Sequence, residues 1–150
     1  EGATVASWLA GILNGGRLAV AQQVAQFAEA RHGILADNIA NIDTPYYKVR
    51  DLPVAEFQGM LGKAIREARD AGGPLRLESS ANIEVSRRGD SLEFKPVERE
   101  EANLLFHDGN NRSIEQEMSE LAKNALMHRT AIEILRGQFN ALETAIRGKL

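Results

Sequence analysis

Apolar side chains recur at alternating steps of four and three between residues 114 and 146: Ile114, Met118, Leu121, Ala125, Ile132, Leu135, Phe139, Leu142 and Ile146, with His128 in the same column. A straight α-helix turns once in about 3.6 residues, so a sustained seven-residue repeat keeps one narrow seam facing a partner only if the helices supercoil. The pattern predicts a helix of roughly 50 Å, at about 1.5 Å per residue, built to pair with another helix. Ser113 and Gln116 have capping-box spacing and are expected to start it. Glu115 and Glu117 suit the positive end of its dipole, and Arg147 and Lys149 the negative end.

A matching stripe lies earlier in the chain, at Leu18, Ala21, Ala25, Ala28, His32, Leu35, Ile39 and Ile42. It predicts a helix from Arg17 to about residue 42, ended by Pro45, which lacks an N–H and biases Thr44 away from helical angles. Val20, Val24, Phe27 and Ile34 form a second stripe beside the first, so this helix is apolar over a broad face and is expected to meet more than one neighbour. Upstream, Val5, Trp8, Leu9 and Ile12 make a shorter helical pattern over residues 3–13, and Asn14-Gly15-Gly16 predicts a hinge near residue 15.

The middle of the chain changes character. Phe57, Leu61, Ile65 and Ala68 predict a weaker helix between Pro53 and Ala71, stopped by Gly72-Gly73-Pro74. Ile83-Glu84-Val85 and Leu92-Glu93-Phe94 alternate apolar with charged about Arg87-Arg88-Gly89-Asp90, which predicts a β-hairpin and supplies the one clear β signal. The predicted fold is therefore mainly α: long N- and C-terminal helices paired as an antiparallel coiled coil, with a short middle helix and a small β-hairpin. Its expected parts are a helical arm and exit loop over 1–52, a middle region over 53–111 and a coiled-coil helix over 112–150.

Composition narrows the function. The 150 residues include no cysteine, which removes disulfides and thiolate chemistry. A formal charge of −3 offers no electrostatic attraction to nucleic acid or an acidic membrane. Residues 5–13 are too short an apolar run to span a bilayer and lack the flanks of a cleaved signal. Aromatic residues make up only 5 % of the chain, which favours shallow helical seams over a deep globular core. His32, His107 and His128 have no metal-ligand spacing, and a polar His128 in the seam is read as a register mark. The glycine pairs match no nucleotide-binding pattern, Arg88-Gly89-Asp90 is explained by its turn, and the carboxylates scatter over solvated faces. No catalytic, cofactor or metal residue is expected, and the chain reads as a structural or interaction protein.

The stretch Asn38-Ile39-Ala40-Asn41-Ile42-Asp43-Thr44-Pro45-Tyr46-Tyr47-Lys48 asks for more. Asn38 and Asn41 suit a helix end, where their amides can bond the last free carbonyls, and Thr44-Pro45 then turns the chain out. This stretch resembles the motif Asn-x-Ala-Asn-x-x-Thr-Pro-Gly-Tyr-Lys of the bacterial flagellar axial proteins, the rod and hook family. It agrees at Asn38, Ala40, Asn41, Thr44, Pro45, Tyr47 and Lys48, and departs at Tyr46, where the family usually has glycine. Ala30-Arg31-His32, Leu35-Ala36, Arg50-Asp51, Asn110-Asn111, Glu117-Met118, Leu121-Ala122 and residues 131–135 extend the resemblance, towards the FlgB-type proximal-rod branch.

The resemblance implies a structural subunit of the flagellar basal-body rod, polymerising helically into part of a drive shaft across the periplasm. It implies export through the type III apparatus without a cleaved signal peptide. Implied partners are further copies, other rod subunits, and membrane-ring and rod-adapter proteins at the base, without nucleic acid or direct membrane insertion. The expected pairing seam joins Leu18, Leu35, Ile39 and Ile42 to Ile114, Met118, Leu121, Ile132, Leu135, Phe139, Leu142 and Ile146 within one subunit. The exit loop over 43–48 is expected to contact neighbours. A soluble coiled-coil adaptor or regulatory interaction module is the alternative.

Overall fold

A computed structural model describes residues 16–99 and 110–148, without the side chains of residues 110–113. The predicted helix over 3–13, the hinge near residue 15 and His107 lie outside the described residues. Helix α1 runs Gly16–Ala40, α2 Val54–Ala71 and α3 Asn110–Ile146. Four short strands, β1 Arg50–Asp51, β2 Ile83–Val85, β3 Leu92–Phe94 and β4 Val97–Glu98, form two antiparallel pairs.

The expected hairpin is β2 with β3, in the register Ile83↔Phe94, Glu84↔Glu93 and Val85↔Leu92. Gly89 turns it at φ 73°, where a side chain would be strained. The pairing of β1 with β4, Arg50↔Glu98 and Asp51↔Val97, was not visible in the sequence, because two-residue strands carry no periodicity. Gly72 closes α2 at φ 62° and bonds back to Ala68. Helix α3 starts at Asn110, so Ser113 is not its cap, and the expected capping box gives way to an earlier start.

The main core lies between α1, α2 and the hairpin. Phe27, Leu52, Phe57, Ile83 and Leu92 are buried together. Phe27 stacks on Phe57 with ring centroids 4.2 Å apart and meets Phe94 edge-on at 5.5 Å. The low aromatic content thus concealed a compact core, because three of the five phenylalanines converge on one spot. The second stripe of α1 belongs to this core, with Val24 and Ile34 packed against it.

Polar groups fasten the hairpin to its neighbours. On α1, the side-chain amide of Gln23 donates to the Gly89 carbonyl at 3.2 Å, and that of Gln26 to the Asp90 carbonyl at 2.7 Å. Leu92 N–H donates back to Gln26 Oε1 at 2.9 Å. On α2, Glu56 accepts from the Ser80 hydroxyl and from the backbone and side-chain amides of Asn82 at 3.0 and 2.9 Å. These bonds hold the Glu56 carboxyl below its ordinary range, Ser80 contributing most. A lowered carboxyl stabilises the fold above its unfolded value and loses that contribution as pH falls through its folded value. The Asn82 amide signal is therefore expected to titrate below about pH 4.5 and to stop doing so in Glu56→Gln, as NMR would read it.

The other face of α1 meets α3, and here the predicted seam is corrected. Leu35, Ala21, Ala25 and Ala28 are buried on α1, with Leu18, Ile39 and Ile42 half-buried, but His32 is exposed and Arg31 takes the inner position. On α3 the column Ile114, Leu121, His128, Leu135 and Leu142 is half-buried, as is Ile132. Met118, Phe139 and Ile146 are 57, 60 and 75 % exposed, so they do not face α1. The inner column is one residue earlier: Glu117, Asn124 and Ala131, 3, 1 and 3 % exposed. One residue is about 100° around a helix, enough to move a side chain from an interface to solvent. Hydrophobicity selected the outer column because the inner one is filled by polar and small residues.

Candidate functional site

The flagellar-type motif sits where α1, the exit loop, β1 and α3 meet. Asn38, on the last turn of α1, is 1 % exposed. Its side-chain amide donates to the Arg50 carbonyl at 2.7 Å and to Glu117 Oε2 on α3 at 3.0 Å. Its Oδ1 accepts from the Tyr47 hydroxyl and from Arg50 N–H, both at 3.2 Å. Both donors and both acceptor positions of this amide are used, which is how a buried polar side chain avoids a desolvation penalty. Asn38 was expected to bond its own helix end; instead it ties the returning chain and the other long helix to that end.

Asn41 behaves as expected. Its side-chain amide donates to the Asp37 carbonyl at 2.9 Å, and its Oδ1 accepts from the Thr44 hydroxyl at 3.3 Å. Tyr47 N–H then bonds the Thr44 carbonyl at 3.2 Å, closing a turn with Pro45 and Tyr46 at its centre. Tyr46 has φ 62°. A left-handed residue after proline is the requirement of a type II turn, and it explains why the motif usually has glycine here. The turn survives the substitution; its ring is fully exposed at 101 %. Relieving the left-handed strain, Tyr46→Gly is expected to raise stability by about 1 kcal/mol in urea denaturation. Ala40, Thr44, Pro45 and Lys48 are exposed, and Lys48 meets Glu98 at 2.9 Å in solvent.

Next to Asn38 lies an ion-pair cluster. Arg31 on α1 makes a two-pronged contact with Asp51 of β1, Nε to Oδ1 and Nη2 to Oδ2, both at 2.7 Å. The same Nη2 reaches Glu120 of α3 at 3.0 Å. Arg99, just past β4, pairs with Glu117 and stands 3.9 Å from Asp51. Asp51 Oδ1 also accepts from Leu52 N–H at 2.8 Å. The guanidinium of Arg31 is held more basic than usual, first by its bond to Asp51. Glu120 is held below the ordinary carboxylate range, chiefly by Lys123 and then by Arg31. One turn further along α3, Asn124 donates to the Ala28 carbonyl at 2.7 Å.

The sequence reading marked Arg31 and Asp51 as part of the resemblance without giving them a role, and read Glu117 as an acidic residue at the positive end of the helix dipole; the structure brings all three together around Asn38. Arg99, Glu120 and Asn124 were missed. Glu117 and Asn124 carried a legible signal, since they repeat at seven residues as the apolar columns do. The cluster consists of charges held in ion pairs and hydrogen bonds, and beside it Asn124 Oδ1 is buried without a hydrogen-bond partner among the described residues. Among the described residues no group of histidines and carboxylates is placed to hold a metal ion, and no helix is long and apolar enough to cross a membrane.

No family model matches the chain. Whole-length relatives do. The flagellar basal body rod protein FlgB of Cereibacter sphaeroides is 33 % identical over 142 residues, covering 89 % of this chain and 95 % of the relative. FlgB of Aquifex aeolicus is 32 % identical over 125 residues, covering 82 % and 86 %, and FlgB of Bacillus subtilis 27 % identical over 125 residues, covering 81 % and 85 %. A motif whose amides join both long helices, carried on a chain similar along most of its length to these proteins, leads to one assignment: the chain belongs to the FlgB family of flagellar basal body rod proteins.

Proposed function

We propose that the chain is a structural subunit of the flagellar basal-body rod and works by polymerising with copies of itself and with other rod subunits. The observation that carries this reading is Asn38, a motif residue that holds the exit loop and α3 in one arrangement with α1. Such a joint makes a stiff unit from segments distant in sequence, which a shaft that transmits torque requires. Family membership does not favour the adaptor reading, and a structural role asks for no catalytic group.

In this proposal α1 and α3 pair as an antiparallel coiled coil near the rod axis. The contacts supporting that arrangement run in opposite order along the helices: Asn38 with Glu117, Arg31 with Glu120, and Ala28 with Asn124. The three-part division into helical arm, middle region and C-terminal helix belongs to the same reading. So do export without a cleaved signal, the periplasmic setting, and contact with membrane-ring and rod-adapter proteins. Repeated contacts that do not close into a ring build a helical polymer. The exposed Met118, Phe139 and Ile146 supply an apolar column for such contacts.

Phe139→Ser separates assembly from folding, because its ring is 60 % exposed in the subunit. The purified variant is expected to melt as the wild type does, while cells carrying it in place of the native gene lack complete rods and do not swim. Normal motility together with normal basal bodies by electron microscopy would refute the role given to this column.

A further inference from the structure

A groove of about 850 Å3 runs along the junction of α1 and α3, nearer the start of α1 than the polar cluster. Its walls include Val20, Val24, Leu126 and Ile134, and Ala21 and Ala131 lie at its base. The two alanines are 4 and 3 % exposed, whereas Leu126 is 66 % and Ile134 44 % exposed. A second groove of about 490 Å3, between α1 and α2, shares Arg17 and Val20 with the first and continues past Ile65, Ala68 and Leu75. Small residues at the base and large apolar ones at the rim suit the side chains of another helix. From Lys123 to Gln138 the larger groove follows α3 for roughly 22 Å, at about 1.5 Å per residue, the length of about four helical turns.

The charges of this lining are all of one sign. Arg17, Lys123 and Arg69 are its only ionised side chains, although the whole chain carries −3. Lys123 meets Glu120 at 3.0 Å in solvent, while Arg17 and Arg69 are in no ion pair among the described residues. We infer that the groove receives an acidic amphipathic helix from a different protein of the basal body, an inference that rests on the rod assignment proposed above. Carboxylates beside the apolar stripe of such a helix meet the three cations while its apolar side chains fill the trough.

A second copy does not supply that helix. The exposed apolar column of α3, Met118, Phe139 and Ile146, is flanked by Arg129, Arg136 and Arg147 against Glu115 and Glu143, so it brings no net negative charge. The exposed acids of α1, Glu29 and Asp37, stand on a polar face with Gln22 and His32. Helix α2 balances Lys63, Arg66 and Arg69 against Glu56, Glu67 and Asp70. Two copies docked groove to groove would set cations against cations.

Cross-linking in assembled basal bodies tests the occupant. With p-benzoylphenylalanine in place of Leu126, whose side chain is exposed, illumination is expected to join the chain to a peptide of another basal-body protein. That peptide, sequenced by mass spectrometry, is expected to have apolar residues at i, i+3, i+4 and i+7 and more acids than bases. Charge reversal in Arg17→Glu/Arg69→Glu is expected to lower the cross-linked fraction several-fold, while the purified variant keeps wild-type circular dichroism and melting. Arg17→Lys/Arg69→Lys is expected to stay near the wild-type yield, because the contact needs positive charge and not guanidinium geometry.

A cross-link to this chain, whether to another copy or within one molecule, overturns the inference. So does a neutral or basic peptide, no cross-link at all, or a yield indifferent to charge reversal. In each of these cases the chain is present in the basal bodies and the rod assignment stands. Absence of the chain from isolated basal bodies refutes that assignment, and the inference with it.

Discussion

Arg31→Met is expected to destabilise the subunit by about 3 to 5 kcal/mol in urea denaturation, the usual cost of removing one partner from a buried ion pair. Arg31 and Asp51 are 8 % exposed, so neither is well solvated when alone. With the guanidinium gone, Asp51 keeps Arg99 at 3.9 Å and Glu120 keeps Lys123 at 3.0 Å, neither of which replaces the two-pronged contact to Asp51. Methionine fills a similar volume, so the loss measures charge and not a cavity. The double variant Arg31→Met/Asp51→Leu is expected to recover much of it, because paired apolar replacements of a buried ion pair are often neutral. A single-variant loss below about 1 kcal/mol, the range of exposed pairs, would show the cluster to be solvated.

Asn38→Ala is expected to cost about 2 to 4 kcal/mol, since each buried group left unpaired costs about 1 to 3 kcal/mol. The abandoned partners are the Arg50 amide and carbonyl, the Tyr47 hydroxyl and Glu117, drawn from loop, strand and α3. Asn38→Asp places a second carboxylate where the Asn38 amide now sits 3.0 Å from Glu117. At neutral pH it is expected to be worse than alanine. Its carboxyl would be raised above its unfolded value by the like charge, so the penalty should fade as pH drops through that raised value. Adding Glu117→Gln should remove most of that pH dependence. Equal stability of Asn38→Ala and wild type would mean that water replaces the amide without loss and that the motif has no structural hold on α3.

The helices were legible because each carries a long run of periodic apolar residues and a clear stop. Pro45 and Gly72 mark the ends of α1 and α2 by backbone chemistry that does not depend on context. The hairpin was legible because alternation brackets a turn. The orientation of α3 was not. Two columns repeat every seven residues: Glu117, Asn124, Ala131, Gln138 and Ala145 are polar or small and lie inward, whereas Met118, Ala125, Ile132, Phe139 and Ile146 are more hydrophobic and lie mostly exposed. What turns α3 is a set of pairwise bonds to α1, Glu117 to Asn38, Glu120 to Arg31 and Asn124 to Ala28, whose partners lie 79, 89 and 96 residues away.

The motif shows the same division. Residues 38–48 by themselves determined a helix end, a proline turn and the resemblance to flagellar axial proteins, since those follow from local backbone preferences and residue identity. The left-handed angle at Tyr46 was not among them, because proline at the second turn position suits a type I turn, with negative φ at the next residue, as well as a type II turn. That Asn38 is a joint between three segments, that Arg31 and Asp51 are its neighbours, and that three phenylalanines form one core were decided only by the tertiary structure. A hydrogen bond or ring contact needs two groups within a few ångströms, and one chain position carries no record of which distant residue will stand opposite it.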